Sequence, residues 1–204
     1  MSELIFYTNP QSRGRIARWM LEECGATYRT VVVPYGPEMK SEPYISINPM
    51  GKVPAIVYAG KAVTETAAIV AFLADLFPAA KLAPPPEQRQ DYYRWLFFAA
   101  GPLEAAVTNK SLGFELPADK SAMAGYGNYD HVVDTLAKKV SRSAFIAGES
   151  FTAADLYVSS HIGYGMQFGM LPKLAEFADY FERVTKRPAK QRADDLDNAL
   201  LKPA

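Results

Sequence analysis

The spacing of hydrophobic and polar positions changes near residue 77. Before it, short apolar runs alternate with helical spacing, and the order β-α-β, irregular crossover, β-β-α predicts a small α/β domain. The predicted strands are Leu4–Tyr7, Tyr28–Val33, Ala55–Tyr58 and Lys61–Val63, and the predicted helices are Ile16–Cys24 and Glu65–Phe77.

Beyond residue 77 the pattern is helical. Pro84-Pro85-Pro86 cannot continue a helix, so residues 79–86 are predicted to form a semi-rigid linker. The predicted helices after it are Glu87–Val107, Asp119–Ser141, Thr152–Met166 and Leu171–Arg187, followed by a frayed C-terminal stretch. The chain therefore divides into an α/β domain over residues 1–78, the linker, and an all-helical domain over residues 87–204.

Composition narrows the class of protein. The 204 residues carry 22 basic and 22 acidic side chains, so the basic excess typical of nucleic-acid or membrane-surface binding is absent. The first residues lack the basic region of a signal peptide, and the apolar run Ala67–Phe77 is too short to span a bilayer. Cys24 is the only cysteine, which excludes an intramolecular disulfide. These features predict a soluble cytoplasmic protein with no membrane or nucleic-acid partner.

Three segments of the first domain could bind a ligand, and the first is Asn9-Pro10-Gln11-Ser12. It joins a strand to a helix, and a helix N-terminus presents unpaired N–H groups and a partial positive charge. The Ser12 hydroxyl could donate to a thiolate, phosphate or carboxylate there. Alternatively, Ser12 is only the N-cap of the helix.

The second segment is Met50–Ala55, with Pro54 at the mouth of a strand. Pro54 is either a plain proline at a strand start or a cis-proline in a tight turn. With a cis bond, Val53 would turn its backbone N–H and C=O outward, where an extended peptide could pair with them.

The third segment is Thr64-Glu65-Thr66, which opens a helix directly after a strand. Free N–H groups in the first turn could bind a ligand carboxylate, while Glu65 could hold an ammonium group. The alternative is a capping role, with Thr64 as the N-cap.

The joint order of these segments resembles the soluble glutathione transferases, and the resemblance extends over essentially the whole chain. It implies a thioredoxin-like N-terminal domain that binds glutathione, followed by an all-helical domain. Asn9–Ser12 is similar to the segment of serine-type bacterial members that carries the catalytic hydroxyl. By the same resemblance, Val53-Pro54 would pair with the cysteinyl backbone, Glu65-Thr66 would hold the γ-glutamyl group, and Lys52 would reach the glycyl carboxylate.

The helical domain carries an independent marker in the segment GESFTAADLYV, residues 148–158. Thr152 and Asp155 have the spacing of a capping box, and Phe151 and Leu156 that of a hydrophobic staple. This combination resembles the capping motif of the transferases' core helix, where its role is folding. Thr152 and Asp155 are therefore not counted as site residues.

Three residues remain candidates for activating the glutathione thiol: Ser12, Tyr7 and Asn9. A free thiol has a pKa of about 8.5, and lowering it by two units requires roughly 2.7 kcal/mol. A charge-assisted hydrogen bond and a helix end together supply that amount. Cys24 lies about 18 Å beyond Ser12 along a helix, so it cannot form a mixed disulfide with the ligand.

The remaining candidate residues are less informative. His131 and His161 lack metal-ligand spacing, and no metal site is predicted. Tyr35 and Phe98 are candidates for the pocket of the second substrate.

The resemblance implies a cytoplasmic, homodimeric glutathione S-transferase of the detoxification type, with glutathione as substrate and an electrophilic, largely apolar second substrate. Two alternatives remain open. One is a non-catalytic glutathione-transferase-like binding protein, and the other is a glutathione-dependent peroxidase or reductase.

Overall fold

Four strands and eight α-helices make up residues 3–201, the part of the chain that the computed structural model describes. The strands are β1 (Leu4–Thr8), β2 (Arg29–Val32), β3 (Ala55–Tyr58) and β4 (Lys61–Val63). The helices are α1 (Gly14–Glu23), α2 (Thr66–Leu76), α3 (Gln90–Phe98), α4 (Glu104–Ser111), α5 (Tyr129–Val140), α6 (Ala153–Gln167), α7 (Ala175–Thr185) and α8 (Pro188–Ala199).

The chain divides into two compact units. Of the described residues, the first unit contains 3–82 together with 187–201, and the second contains 83–186. The sequence pattern predicts residues 187–204 as part of the helical domain. The structure groups residues 187–201 with the first unit, where α8 packs against α1.

The first unit is built on one mixed sheet with the strand order β2-β1-β3-β4. β1 pairs with β2 in parallel and with β3 antiparallel, and β3 pairs antiparallel with β4. Leu4, Phe6 and Thr8 on one face of β1 are buried, and the intervening side chains are half-buried. This arrangement, with α1 as the crossover between β1 and β2, confirms the predicted thioredoxin-like α/β domain.

The C-terminal stretch is an ordered helix, so the prediction that it frays is wrong. α8 buries Ala189, Ala193 and Asp197, which are spaced four residues apart and therefore lie on one face. Asp197 accepts a 2.8 Å hydrogen bond from Nε of Arg18 on α1, and both side chains are buried. The sequence pattern includes this stretch among the predicted helices but does not give its bounds, because its buried face uses small residues and an ion pair instead of large apolar side chains.

The second unit is helical, as predicted, but three helices differ from their predicted spans. The helix predicted over Leu171–Arg187 is shorter and extends over Ala175–Thr185. The Glu87–Val107 helix is interrupted by a π-helical turn at Ala99–Leu103, which contains Pro102 and separates α3 from α4. Proline has no N–H to continue the helical ladder. The predicted Asp119–Ser141 helix begins only at Tyr129, because Gly127 adopts φ +70° and Asn128 caps the helix by accepting from the His131 N–H.

Helix α6 is the buried centre of the second unit, and its predicted capping box is present. Asp155 accepts hydrogen bonds from the Thr152 N–H at 2.9 Å and the Thr152 hydroxyl at 3.0 Å. Its other oxygen accepts from the Ile146 N–H at 2.6 Å and the Tyr180 hydroxyl at 2.8 Å. One carboxylate thus joins the helix start to the preceding loop and to α7.

Between residues 3 and 201, no helix is both long enough and apolar enough to cross a membrane.

Candidate functional site

The strand registers bring the three candidate segments together. Tyr7 pairs with Ala55 across β1 and β3, and Ile56 pairs with Val63 across β3 and β4. If the residue pairing is extended by two or three positions beyond these pairs, Asn9 and Thr66 both lie opposite Val53. The three residues are therefore at the same end of three neighbouring strands. Adjacent strands lie about 4.8 Å apart, so the three segments fall within roughly 10 Å of one another.

Ser12 closes the turn between β1 and α1. Its hydroxyl donates to the Asn9 C=O at 2.7 Å and accepts from the Gly14 N–H at 2.9 Å. The Ser12 N–H also donates to the Asn9 C=O, at 3.0 Å. The hydroxyl therefore satisfies the Gly14 N–H of the first turn, but the N-cap position is Arg13, so the interpretation of Ser12 as the N-cap is wrong by one residue. The Ser12 side chain lies half-buried at the N-terminus of α1.

The Asn9 side chain braces this turn against the end of β2. It is 7% exposed, its amide donates to the Val33 C=O at 3.1 Å, and its oxygen accepts from the Gln11 N–H at 3.0 Å. Both ends of the amide are thus used to hold the backbone in place. This arrangement favours Asn9 as a structural residue over Asn9 as a donor to a ligand.

Tyr7 lies half-buried on β1 and packs against a small apolar cluster of Val33, Met39 and Tyr44. Its ring centroid is 5.6 Å from that of Tyr44. Val53 packs against the same cluster, so Tyr7 lies close to the corner that Val53 occupies.

The Val53–Pro54 peptide bond is cis, as the glutathione transferase resemblance implies. Val53 precedes β3, whose ladder to β1 begins at Ala55. Within residues 3–201, no hydrogen bond involves the backbone N–H or C=O of Val53. These groups are the ones that an extended ligand backbone would pair with.

A network of polar side chains holds the Val53 corner in place, and the sequence pattern does not predict it. The Lys52 C=O accepts from the Asn48 side chain at 2.7 Å and from the Tyr44 hydroxyl at 2.5 Å. The Asn48 oxygen also accepts from the Met50 N–H at 3.1 Å. Burial raises the pKa of Tyr44 to about 12, so the phenol stays protonated and can donate. The only sequence signal for this network is Asn48-Pro49, which predicts a turn.

If the Val53 corner holds glutathione as the resemblance implies, replacing Asn48 by alanine is expected to weaken that binding about tenfold, a loss of about 1.4 kcal/mol. The change releases the Lys52 C=O and the Met50 N–H and loosens the corner. Titration calorimetry with glutathione measures the effect. Asn109→Ala, which removes a side-chain bond to Tyr126 in the second unit, is the matched control. Equal affinities in the two variants would contradict the expected role of Asn48.

Glu65 and Thr66 form the start of α2. Glu65 has φ +63° and ψ +118°, a conformation that costs a non-glycine residue about 1–3 kcal/mol and occurs mainly at functional sites. Glu65 occupies the N-cap position without a side-chain capping bond. The interpretation of Thr64 as N-cap is therefore wrong, because the helix begins one residue later than that interpretation requires. The first-turn N–H groups of α2 and the exposed Glu65 carboxylate lie next to each other.

Lys52 is exposed beside the same corner. The neighbouring Lys40 ammonium donates to the Gly51 C=O at 2.6 Å and the Met50 C=O at 3.2 Å, so it supports the loop.

Gly14 allows α1 to begin close to β1. A Cβ at this position would lie 2.0 Å from Thr8 Oγ1 and 3.0 Å from Ser12 Oγ. We expect Gly14→Ala to lower the free energy of unfolding by about 1–3 kcal/mol, because the buried Thr8 cannot move aside.

Urea unfolding checks this prediction, with Gly101→Ala as control because a Cβ there meets no atom within 4 Å. Adding Thr8→Ala to Gly14→Ala should restore part of the loss. A Gly14→Ala variant as stable as the wild type would show that the contact between its Cβ and the Thr8 hydroxyl costs no stability.

The two candidates for a second-substrate pocket lie in different units. Tyr35 is 57% exposed in the loop after β2, and its hydroxyl donates to the Gln11 C=O at 3.3 Å, next to the Ser12 turn. Phe98 lies half-buried at the end of α3 and packs edge-on against Trp95 at 5.1 Å. Their role in a pocket stays a prediction.

Cys24 lies at the far end of α1 from Ser12. Burial, and secondarily the Glu23 carboxylate, raise its pKa to about 12, so the thiol is not ionised near neutral pH. No group of three or more potential ligands that could hold a metal ion occurs in the described part of the chain. His161 pairs with Glu104 at 3.7 Å and packs against Tyr157, whereas His131 is exposed.

Comparison with known proteins finds similarity to glutathione transferases in sequence and in fold. Residues 13–76 match the model of the glutathione S-transferase N-terminal domain. An uncharacterised GST-like protein of Streptococcus mutans serotype c is 28% identical over an alignment of 182 residues that covers 78% of this chain and 66% of that protein. Glutathione S-transferase DHAR2 of Arabidopsis thaliana is 30% identical over 141 residues, 67% of this chain and 58% of its own length. The chain thus spans less than two thirds of either curated relative.

Solved structures share the fold along nearly the whole chain. A glutathione transferase from Methylococcus capsulatus has a TM-score of 0.79 at 24% identity, covering 96% of this chain and 99% of its own. A sphingomonad glutathione S-transferase complexed with glutathione has a TM-score of 0.75 at 24% identity, covering 95% and 98%.

Proposed function

We propose that the chain is a glutathione S-transferase that binds glutathione, stabilises its thiolate and transfers the sulfur to an electrophilic, largely apolar substrate, because its residues 13–76 match the N-terminal domain of that family and solved transferases share its fold. The observation that carries this proposal is the convergence of the Ser12 turn, the Val53 corner and the start of α2 at one end of the sheet. An extended tripeptide is about 10 Å long, so glutathione can reach all three segments at once.

In this proposal, the corner and α2 bind the peptide. The Val53 N–H and C=O pair with the cysteinyl backbone as an added strand would. The N-terminus of α2, including Thr66, receives the γ-glutamyl carboxylate, and Glu65 receives its ammonium group. Lys52 is placed to receive the glycyl carboxylate. Each charged group of the ligand then meets a group of opposite charge or a backbone donor.

Ser12 is the proposed thiolate donor. Its hydroxyl can leave the Asn9 C=O without orphaning that oxygen, because the Ser12 N–H remains bonded to it. A hydrogen bond to a charged group contributes about 1.5–3 kcal/mol, against about 0.5–1.5 for a neutral one, so a thiolate is the preferred acceptor. The Gly14 N–H keeps the Ser12 oxygen in place during the exchange.

Tyr7 is the second candidate for activating the thiol, because it packs beside Val53. Asn9 is the third, and its two hydrogen bonds to the backbone favour a structural role.

The reaction needs no covalent intermediate with the protein. The bound thiolate attacks the electrophilic carbon, the leaving group departs with the electron pair of its bond, and the thiol proton has already passed to solvent. The protein contributes proximity and electrostatic stabilisation of the sulfur. Reaction through a protein cysteine is disfavoured because the Cys24 thiol stays protonated.

The wider setting follows from the family. We propose a cytoplasmic homodimer that acts in detoxification, and light scattering in solution measures its oligomeric state.

The test of the proposed function is glutathione binding by calorimetry, followed by conjugation to a model aryl halide and, in parallel, reduction of an organic hydroperoxide. Binding with conjugation supports the transferase. Binding with hydroperoxide reduction alone would assign the site to glutathione-dependent reduction. Binding with neither reaction would indicate a non-catalytic glutathione-binding protein, and no binding would overturn the proposal.

A further inference from the structure

Arg15, in the first turn of α1, connects helix α8 to the turn that carries Ser12. Nε of Arg15 donates to the Pro10 C=O at 2.6 Å, and Nη2 donates to the Asn198 side-chain oxygen of α8 at 2.8 Å. Its third nitrogen lies 3.8 Å from the Asp194 carboxylate, also on α8.

The Pro10 carbonyl is an effective point at which to hold this turn. Proline fixes its own φ and has no N–H, so the C=O is the one backbone group of Pro10 that can be hydrogen-bonded. Pro10 directly follows Asn9, whose C=O accepts hydrogen bonds from both the hydroxyl and the N–H of Ser12. In addition, the Arg15 N–H donates to the Ser12 C=O at 3.2 Å.

Helix α8 is firmly attached at the position that supports Arg15. Asp197, which precedes Asn198, forms the buried ion pair with Arg18 one helical turn beyond Arg15. Arg187 binds Glu23 through two hydrogen bonds of 2.6 and 2.8 Å. The Asn198 oxygen is therefore presented to Arg15 from a fixed helix.

We propose that Arg15 is a positioning residue for the thiolate site, held by α8 and acting on the Asn9–Ser12 turn through the Pro10 carbonyl. This inference rests on the proposed function of Ser12. The charge of Arg15 is partly neutralised by Asp194, so its contribution is the placement of the Ser12 hydroxyl. A lysine would keep the charge but cannot bond both Pro10 and Asn198 with a planar fork.

The test compares Arg15→Lys and Asn198→Ala with Arg192→Ala. Arg192 attaches α8 to Glu22 at 3.3 Å and does not bond the turn, so it controls for loosening of the helix. The first readout is amide hydrogen exchange of the Ser12 and Gly14 N–H groups in the free protein. Exchange there should become about 3–10-fold faster in Arg15→Lys and Asn198→Ala than in Arg192→Ala. Equal exchange in all three variants would overturn the proposal.

The second readout is the thiol pKa of bound glutathione together with the pH profile of kcat/KM. Arg15→Lys should raise that pKa by about 0.5–1 unit, so kcat/KM falls about 2–5-fold near pH 6.5 and returns to the wild-type value above about pH 9. A merely structural loss would not recover at high pH. An unchanged thiol pKa in both variants, with a lowered pKa in the wild type, would overturn the role of Arg15.

The two proposals fail in different ways. A wild type that does not lower the thiol pKa contradicts the transferase function, and the hydrogen-exchange comparison still decides whether Arg15 positions the turn.

Discussion

Replacing Ser12 by alanine is expected to lower kcat/KM for conjugation by up to about 25-fold at pH 7, because a thiol pKa that returns from about 6.5 to about 8.5 reduces the ionised fraction of bound glutathione by that factor. Ser12→Ala removes the hydroxyl proposed to donate to the thiolate, so the thiol pKa of bound glutathione should rise by up to about two units. The loss should therefore shrink as the pH rises past the pKa of the free thiol. Steady-state kinetics as a function of pH measure it.

The matched control is Ser41→Ala. The Ser41 hydroxyl also donates to a backbone carbonyl, that of Pro37 at 2.9 Å, in the same unit. Its removal should leave kcat/KM unchanged. Wild-type activity in Ser12→Ala would transfer the role to Tyr7 or Asn9, and the same measurement on Tyr7→Phe would then distinguish them. Ser12→Ala also loses the acceptor of the Gly14 N–H, which is expected to cost about 1 kcal/mol of stability.

Replacing Asp155 by alanine is expected to lower the free energy of unfolding by about 3–5 kcal/mol. The fully buried carboxylate accepts four hydrogen bonds, and its removal leaves buried donors of Ile146, Thr152 and Tyr180 unsatisfied. The start of α6 also loses its capping box. Chemical unfolding monitored by circular dichroism gives the value.

Asp130→Ala is the control for this prediction. Asp130 also lies in the first turn of a helix of the same unit but is exposed, so its loss should cost at most about 1 kcal/mol. Equal losses of stability in the two variants would mean that the buried network at Asp155 contributes nothing beyond the helix-end charge.

The elements that the sequence predicted well are those whose pattern depends on local residues alone. β3 and β4 begin and end at the predicted residues, because two short apolar runs are separated there by the two-residue turn Ala59-Gly60. The capping box of α6 was predicted for the same reason, since its two residues lie three positions apart. The Val53–Pro54 cis bond was anticipated only through the family resemblance, because the residue pattern alone favoured a plain proline at a strand start.

What the sequence missed depends on contacts between distant residues. α8 has few apolar positions, and its attachment depends on Asp197 meeting Arg18, which is 179 positions away. The support of the Val53 corner by Tyr44 and Asn48 likewise follows from how the loop folds back, and neither side chain is distinctive in the sequence. The spacing of Ser12 also left open whether its hydroxyl caps α1 or binds a ligand. The structure shows it bonded to Gly14 and to an Asn9 carbonyl that has a second donor.

The most direct measurement is an ultraviolet difference titration of the thiol of glutathione bound to the wild-type protein. If the site stabilises the thiolate as proposed, the bound thiol titrates near pH 6.5, about two units below its free value. If glutathione binds and its thiol titrates at about 8.5, as in free solution, the site does not activate the sulfur and the proposed transferase function is contradicted.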